Sequence, residues 1–177
     1  ALLTIQNISQ QKHVFDPTSL KNLKIAVHDE IEPIILPKLV EHFHQLNLEV
    51  QFSSIKLDRK NVLTDLATQQ IDFVIDLEQN FNEKIQFKTL VQDQFVVCTQ
   101  QQSMTAEIYF ALPHIGVSSR RTGVLVEDIY LNRKQLSRQI FLRCQHYSTA
   151  LQILAQQAAV ILTIPKNIFA HLHRAEC

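Results

Sequence analysis

Leu23, Ile25 and Val27 alternate with more polar neighbours and run into His28-Asp29-Glu30, a pattern that predicts a strand delivering a polar loop. Pro33 then stands where the first turn of a helix tolerates proline. Leu36, Leu39, Val40 and Phe43 recur at helical spacing through about Leu46. Val50, Phe52 and Ser54 resume strand alternation. Asp58 is placed to cap a helix with Val62, Leu63, Leu66 and Ala67 on one face, and Ile71 to Ile75 reads as a short buried strand. Strand, helix, strand, helix, strand implies parallel pairing with helical crossovers.

The pattern starts again after Phe95 to Cys98, a strand that runs into a polar crossing at Thr99 to Ser103. Ala106 to Leu112 is predicted as a short helix and Ile115 to Val117 as a strand. Ser118 to Gly123 then forms a polar loop opening a helix from about Val124 to Leu136. Ile140, Leu142 and Cys144 alternate as a strand. Ser148 is placed to cap a helix through Gln157 with Leu151, Leu154 and Ala155 inward. Val160 to Ile164 is one more apolar strand, stopped by Pro165, and Asn167 to His173 starts a final helix. The expectation is an α/β fold of two small lobes, with polar loops at the carboxyl ends of the strands placing a ligand in the crevice between them.

Composition narrows the classes. The 177 residues, 46% hydrophobic and 19% charged, are enough for one domain or two small lobes with a real interior. Seventeen basic residues balance seventeen acidic ones, so the chain lacks the positive field that holds a phosphate backbone unaided. The three cysteines, Cys98, Cys144 and Cys177, are odd in number and far apart, which fits a reducing cytoplasm better than a zinc site or a disulfide scaffold. No apolar run approaches the ~20 residues of a membrane span, and Ala1 to Gln11 lacks the order of a secretory signal. With two glycines in all, Gly116 and Gly123, no phosphate loop, dinucleotide fingerprint or nucleophile elbow can be written into the chain.

Six phrases together resemble a known family. Leu23 to Leu39, with Pro33 and Pro37, is similar to the first strand and helix of the effector domains of LysR-type transcriptional regulators, nearest to the NodD/NahR-like branch that senses flavonoids and aromatic acids. Asp58 to Leu66 and Gln70 to Ile75 resemble the helix and strand that follow, with Gln69-Gln70 where the family has a glycine. Asp93 to Cys98, Leu112 to Val117 and Val160 to Pro165 match in order and spacing, so that the similarity covers roughly residues 20 to 172. The resemblance implies two Rossmann-like lobes of the periplasmic-binding-protein type II kind. It divides the chain into 1–22 (end of a linker helix and a turn at Phe15-Asp16-Pro17), 23–98 plus 165–177 (lobe I, short at its carboxyl end) and 99–164 (lobe II). The winged helix-turn-helix of such regulators is expected ahead of this sequence.

Candidate ligand contacts follow from the strand ends. His28, Asp29 and Glu30 follow the first strand, where backbone amides at the next helix start could take a carboxylate, although two acidic side chains argue against an anion. Asp29 could instead cap the helix and Glu30 face solvent. His146 follows the strand ending at Cys144, in a phrase that the resembling branch fills with proline, histidine and an aromatic. Its imidazole can bond a ligand in either tautomer, and Tyr147 can stack on a ring. Ser118, Ser119 and Thr122 lie in the loop of the second lobe, where hydroxyls can also simply bond local backbone. Thr163 resembles a family residue near the hinge that reaches the ligand, or points inward as a core hydroxyl. His42/His44 and His171/His173 are two residues apart, the wrong spacing for shared ligation on a helix, and Arg120-Arg121 is a solvated pair or an anion attractor.

The leading expectation is therefore a sensor of a small molecule, aromatic in the nearest branch, with no metal, no cofactor and no chemistry on the ligand. The resemblance also implies an antiparallel homodimer with helix Pro33 to Leu46 facing the second lobe of its partner, a tetramer in the full-length regulator, DNA contact only through the helix-turn-helix, a cytoplasmic location and no membrane. A solute-binding protein of a transport system is the alternative. An enzyme built on Ser118, His146 and Asp29 is a third reading, with only a collection of polar residues to support it.

Overall fold

The structure, a computed structural model, describes residues 16–77, 86–120 and 122–175. The chain divides into two units, residues 1–79 and 80–177, each of which carries its own sheet. Phe15 and the residues before it, Arg121 and Cys177 lie outside the described residues.

The first unit opens where Asp16 accepts from the Thr18 amide at 2.9 Å and starts a 3-10 turn, Pro17–Ser19. β1 (Asn22–Val27) is the middle strand of a parallel sheet, with β2 (Gln51–Lys56) on one side and β3 (Phe73–Ile75) on the other. The crossovers are α1 (Glu32–Gln45), with Pro33 in its first turn as expected, and α2 (Val62–Ala67). Leu23, Ile25 and Val27 are buried against Leu39, Phe43, Phe52 and Ile75, and the Phe43 and Phe52 rings meet edge to face at 5.3 Å. That core is what the strand alternation and the helical spacing encode jointly.

Asp58 does not cap α2 directly. The cap position is Asn61, and the Asp58 carboxylate instead takes the Lys60 amide at 3.0 Å and the Asn61 side-chain amide at 2.9 Å, closing a turn one step earlier. At its other end α2 closes with Gln69 at φ 55°; the Gln69 amide bonds Leu66 O at 3.2 Å and the Gln70 amide bonds Asp65 O at 2.8 Å. This paired closure needs a left-handed residue, usually glycine. Asn47 after α1 serves the same purpose.

The second unit contains β4 (Phe95–Cys98), α3 (Ala106–Ala111), β5 (His114–Val117), α4 (Val126–Arg133), β6 (Ile140–Cys144), α5 (Tyr147–Gln156), β7 (Ile161–Pro165) and α6 (Lys166–Ala175). The strand order is β4-β7-β5-β6, with β5, β6 and β7 parallel and β4 antiparallel to β7. β7 is apolar except at Thr163, as suits a central strand buried on both faces. Gly116 is required by packing: a Cβ there would lie 2.5 Å from Leu125 Cδ1.

Two expectations need correction. The boundary placed after Cys98 falls before β4, because Val97 and Thr163 are ladder partners, and α6 packs on β7 rather than joining the first sheet. Local alternation announces a strand without naming its partner, so the sequence does not reveal that Phe95–Cys98 pairs with Ile161–Pro165. Ser148 is not a cap either. α5 starts at Tyr147, and its inward stripe is Tyr147, Ala150 and Leu154, which leaves Ala155 exposed.

Candidate functional site

At the carboxyl ends of the first sheet, the loop after β1 folds back on itself. The Ile31 and Glu32 amides both donate to His28 O, at 2.8 and 3.0 Å, and those of Ile34 and Ile35 donate to Ile31 O. The Glu30 amide donates to His28 Nδ1 at 3.3 Å. Pro33 has no amide, so the donors expected for a ligand carboxylate at this helix start are already spent. Asp29 does not cap the helix: the cap position is Ile31, without a side-chain bond. Asp29 and Glu30 are both half-buried.

With Nδ1 accepting, the His28 proton sits on Nε2 and the ring is neutral. Burial holds its pKa below the usual 6.5; Arg59 pushes the same way, against the carboxylates of Asp29, Asp76 and Glu30. Arg59, three residues past β2, and Asp76, directly past β3, form a two-pronged ion pair. Arg59 Nε lies 2.6 Å from Asp76 Oδ2 and Nη2 lies 2.5 Å from Oδ1. Neither residue was picked out from the sequence. The signal at β3 was the single charge of Asp76, whereas Arg59 stands among Lys56, Asp58 and Lys60 at and after the end of β2 and is not singled out by its neighbours.

In the second unit, Ser118 follows β5 and His146 follows β6, at neighbouring strand ends. The Ser118 amide donates to Cys144 O at 2.9 Å and its Oγ accepts from the Arg120 amide at 3.2 Å. Ser119 and Thr122 are exposed. Two guanidinium groups hold this loop by its carbonyls: Arg143 Nη1 donates to Gly123 O at 2.8 Å, and Arg120 Nη2 donates to Val124 O at 3.1 Å. Of the Arg120-Arg121 pair, the described member thus works on its own loop. His146 is exposed at the start of α5, whereas Tyr147, expected to stack on a ligand ring, is only 8% exposed and belongs to the core.

Thr163 turns inward. Its hydroxyl lies 2.9 Å from Tyr109 Oη and accepts from Arg138 Nη1 at 3.2 Å. Arg138 is the centre of a buried polar network, donating to Glu127 Oε1 at 2.8 Å and to Asp128 Oδ1 at 2.6 Å. Burial works against its charge, and the two carboxylates keep its pKa raised. His114, wholly buried, completes the set with Nε2 2.6 Å from Tyr109 O and Nδ1 3.4 Å from Arg138 Nη1. A carbonyl on one side and a cationic donor on the other admit only the neutral ring with its proton on Nε2. Burial first, and Arg138 next among the lowering influences, hold its pKa below the ordinary value. The network lies toward the amino ends of β5 and β6, opposite the loops of Ser118 and His146. It braces the sheet.

Among the described residues no group of three His, Cys, Asp or Glu side chains is arranged to hold a metal, and no helix is long and apolar enough to cross a membrane. The profile of the LysR substrate binding domain matches residues 20–172. The chain belongs to this family. As a LysR substrate binding domain it is 23% identical over 174 residues to the transcriptional activator NagR of a Ralstonia species, covering 94% of this chain and 58% of that protein. It thus spans little more than half of that curated relative. Its fold is similar to the regulatory domain of MexT, a transcriptional activator in Pseudomonas aeruginosa, with a TM-score of 0.76, 20% identity and coverage of 89% of this chain and 78% of that one. It is also similar to the effector binding domain of QuiR in complex with shikimate, with a TM-score of 0.62, 18% identity and coverage of 84% and 75%. The two-sheet α/β fold expected from the sequence is the fold of these domains.

Proposed function

We propose that this LysR substrate binding domain is the effector-sensing part of a transcriptional regulator, which binds a small molecule and transmits its presence to DNA-binding elements elsewhere in the regulator. The observation that carries this reading is the family match over 20–172. The polar strand-end loops in each unit supply hydrogen-bonding groups. His28, Asp29 and Glu30 in the first unit, and Ser118, Ser119, Thr122 and His146 in the second, are the proposed contacts; Tyr147 lies in the core beside His146, and Thr163 belongs to the buried network at the opposite strand ends. Sensing requires only that the ligand prefer one of two arrangements of the regulator, and no step of bond making.

The further parts of the reading are a homodimer of sensing domains, a tetramer of full-length chains, a cytoplasmic site of action and DNA contact through a helix-turn-helix. The relative NagR is a transcriptional activator, which favours sensing over the transport alternative. QuiR was captured with shikimate, so a cyclic, hydroxylated effector is included in the test beside the aromatic class.

The test is a thermal-shift screen of this chain against aromatic acids, flavonoids, shikimate, amino acids and sugars, repeated with His146→Ala. A ligand at a hundred times its Kd adds about 2.7 kcal/mol, which is roughly 5–10 °C for a chain of this length. The expected result is such a rise with one class, reduced in the variant. A melting temperature unmoved by every class contradicts the sensing role.

A further inference from the structure

At the strand ends of the first unit the half-buried Arg59 is already engaged, while Lys56 and Lys60 of the same stretch stand exposed in solvent. Asp76 accepts from both Nε and Nη2 of Arg59, so the side edge of the guanidinium, one of its two carboxylate-matching edges, is filled by a carboxylate of the chain itself. The Asp76 side chain is 4% exposed and that of Arg59 28%, so the pair has a buried side and an open side. His28 lies close enough to feel both charges. Its Nδ1 is taken by the Glu30 amide, and the amides of Ile31 and Glu32 are taken by its carbonyl. Asp29 and Glu30 add negative charge to the same loop. An incoming carboxylate meets no spare amide among these and a cation whose charge is already cancelled.

We propose that Asp76 is a specificity-determining residue: by holding the fork of Arg59 it turns the strand ends of the first unit away from carboxylate ligands and toward neutral ones that carry hydroxyl or amide groups. This rests on the sensing role proposed above. Removing the charge of Asp76 while keeping its shape frees the fork, and the same loop then becomes a receptor for carboxylates.

The experiment follows the Arg59 Nε–Hε signal and the backbone amides of 28–32 of the 177-residue chain by NMR during titration with acetate, benzoate and benzamide, in the natural chain and in Asp76→Asn, and the amides alone in Arg59→Gln/Asp76→Asn. Acetate and benzoate are expected to leave the signal of the natural chain unmoved. In Asp76→Asn both are expected to shift it saturably, with affinity gained by at least about tenfold from the two charge-assisted bonds made available. The double variant, which keeps an amide pair without charges, is expected to show no carboxylate response in the backbone amides of 28–32. A natural chain whose Arg59 signal shifts saturably with acetate or benzoate overturns the proposal, and this arm stands even where the single variant fails to fold. A folded Asp76→Asn that gains nothing overturns it too. Gain of carboxylate binding in the variant, beside a chain that answers no class in the thermal screen, keeps the role of Asp76 and sinks the sensing role instead.

Discussion

Arg138 and Glu127 meet at 2.8 Å with side chains only 1% and 5% exposed, so that an ion pair stands almost wholly out of water inside the second unit. Asp128 shares the same guanidinium at 2.6 Å. Such a pair is expensive to break from one side and cheap to replace from both. Arg138→Met, which strands two carboxylates, is expected to cost about 3–5 kcal/mol in urea unfolding. Adding Glu127→Leu to that variant is expected to return part of the loss. A double variant weaker than the single one by the full cost of a second cavity would show that the carboxylate is held by other groups.

The buried His114 and the half-buried His28 set a pH dependence. Folding holds His114 and His28 below the ordinary 6.5, so on acidification the unfolded chain takes up protons before the folded one does. Stability contributed by these groups is therefore fully present above 6.5 and is lost as the pH falls from there toward their folded values, by up to about 1.4 kcal/mol per pH unit for each ring. Urea midpoints at pH 7.5, 6.5 and 5.5 are expected to decline in that order. His114→Asn, though weaker at every pH, is expected to show a shallower decline; an unchanged slope would remove His114 from the account.

Three helices close on a left-handed residue that is not glycine: Asn47, Gln69 and Gln135, at φ 53°, 55° and 57°. A side chain in that region costs about 1 kcal/mol or more, which glycine avoids. Gln69→Gly and Gln135→Gly are expected to raise stability by about 0.5–1 kcal/mol each after the entropy of the unfolded chain is counted. Gln45→Gly, on the exposed last turn of α1, is the control and is expected to lower it by about the same amount. Calorimetric melting of the three variants checks the signs.

Gly116 answers to a neighbour. Leu125 is 3% exposed and its Cδ1 occupies the place a Cβ would need, so Gly116→Ala is expected to cost about 1–3 kcal/mol. Pairing it with Leu125→Val, which withdraws that methyl group, is expected to cost less than the two changes summed.

Much of this was legible in the chain, because the information is local. Leu23, Ile25 and Val27 announce β1 by alternation, Pro33 with Leu36, Leu39 and Phe43 announces α1, and the unbroken run from Val160 announces a central strand. The Gln69-Gln70 pair was visible as standing where the resembled family has a glycine, and the backbone at Gln69 is left-handed. What stayed hidden depends on which strand lies beside which. β4 carries the same alternation whether it joins the first sheet or pairs with β7. Arg59 and Asp76 are 17 residues apart and meet only because β2 and β3 flank β1. Arg138 sits in the polar stretch Gln135 to Gln139, which reads as solvated until Glu127 and Asp128 of α4 are brought over it.

The central claim is that a small molecule is read by loops at the carboxyl ends of the strands. The most direct measurement is backbone amide mapping by NMR during titration with the ligand class that raises the melting temperature. Shifts concentrated in residues 28–32, 118–122 and 145–148 are the predicted result. Shifts concentrated around His114 and Arg138 instead, at the opposite strand ends, would contradict the account.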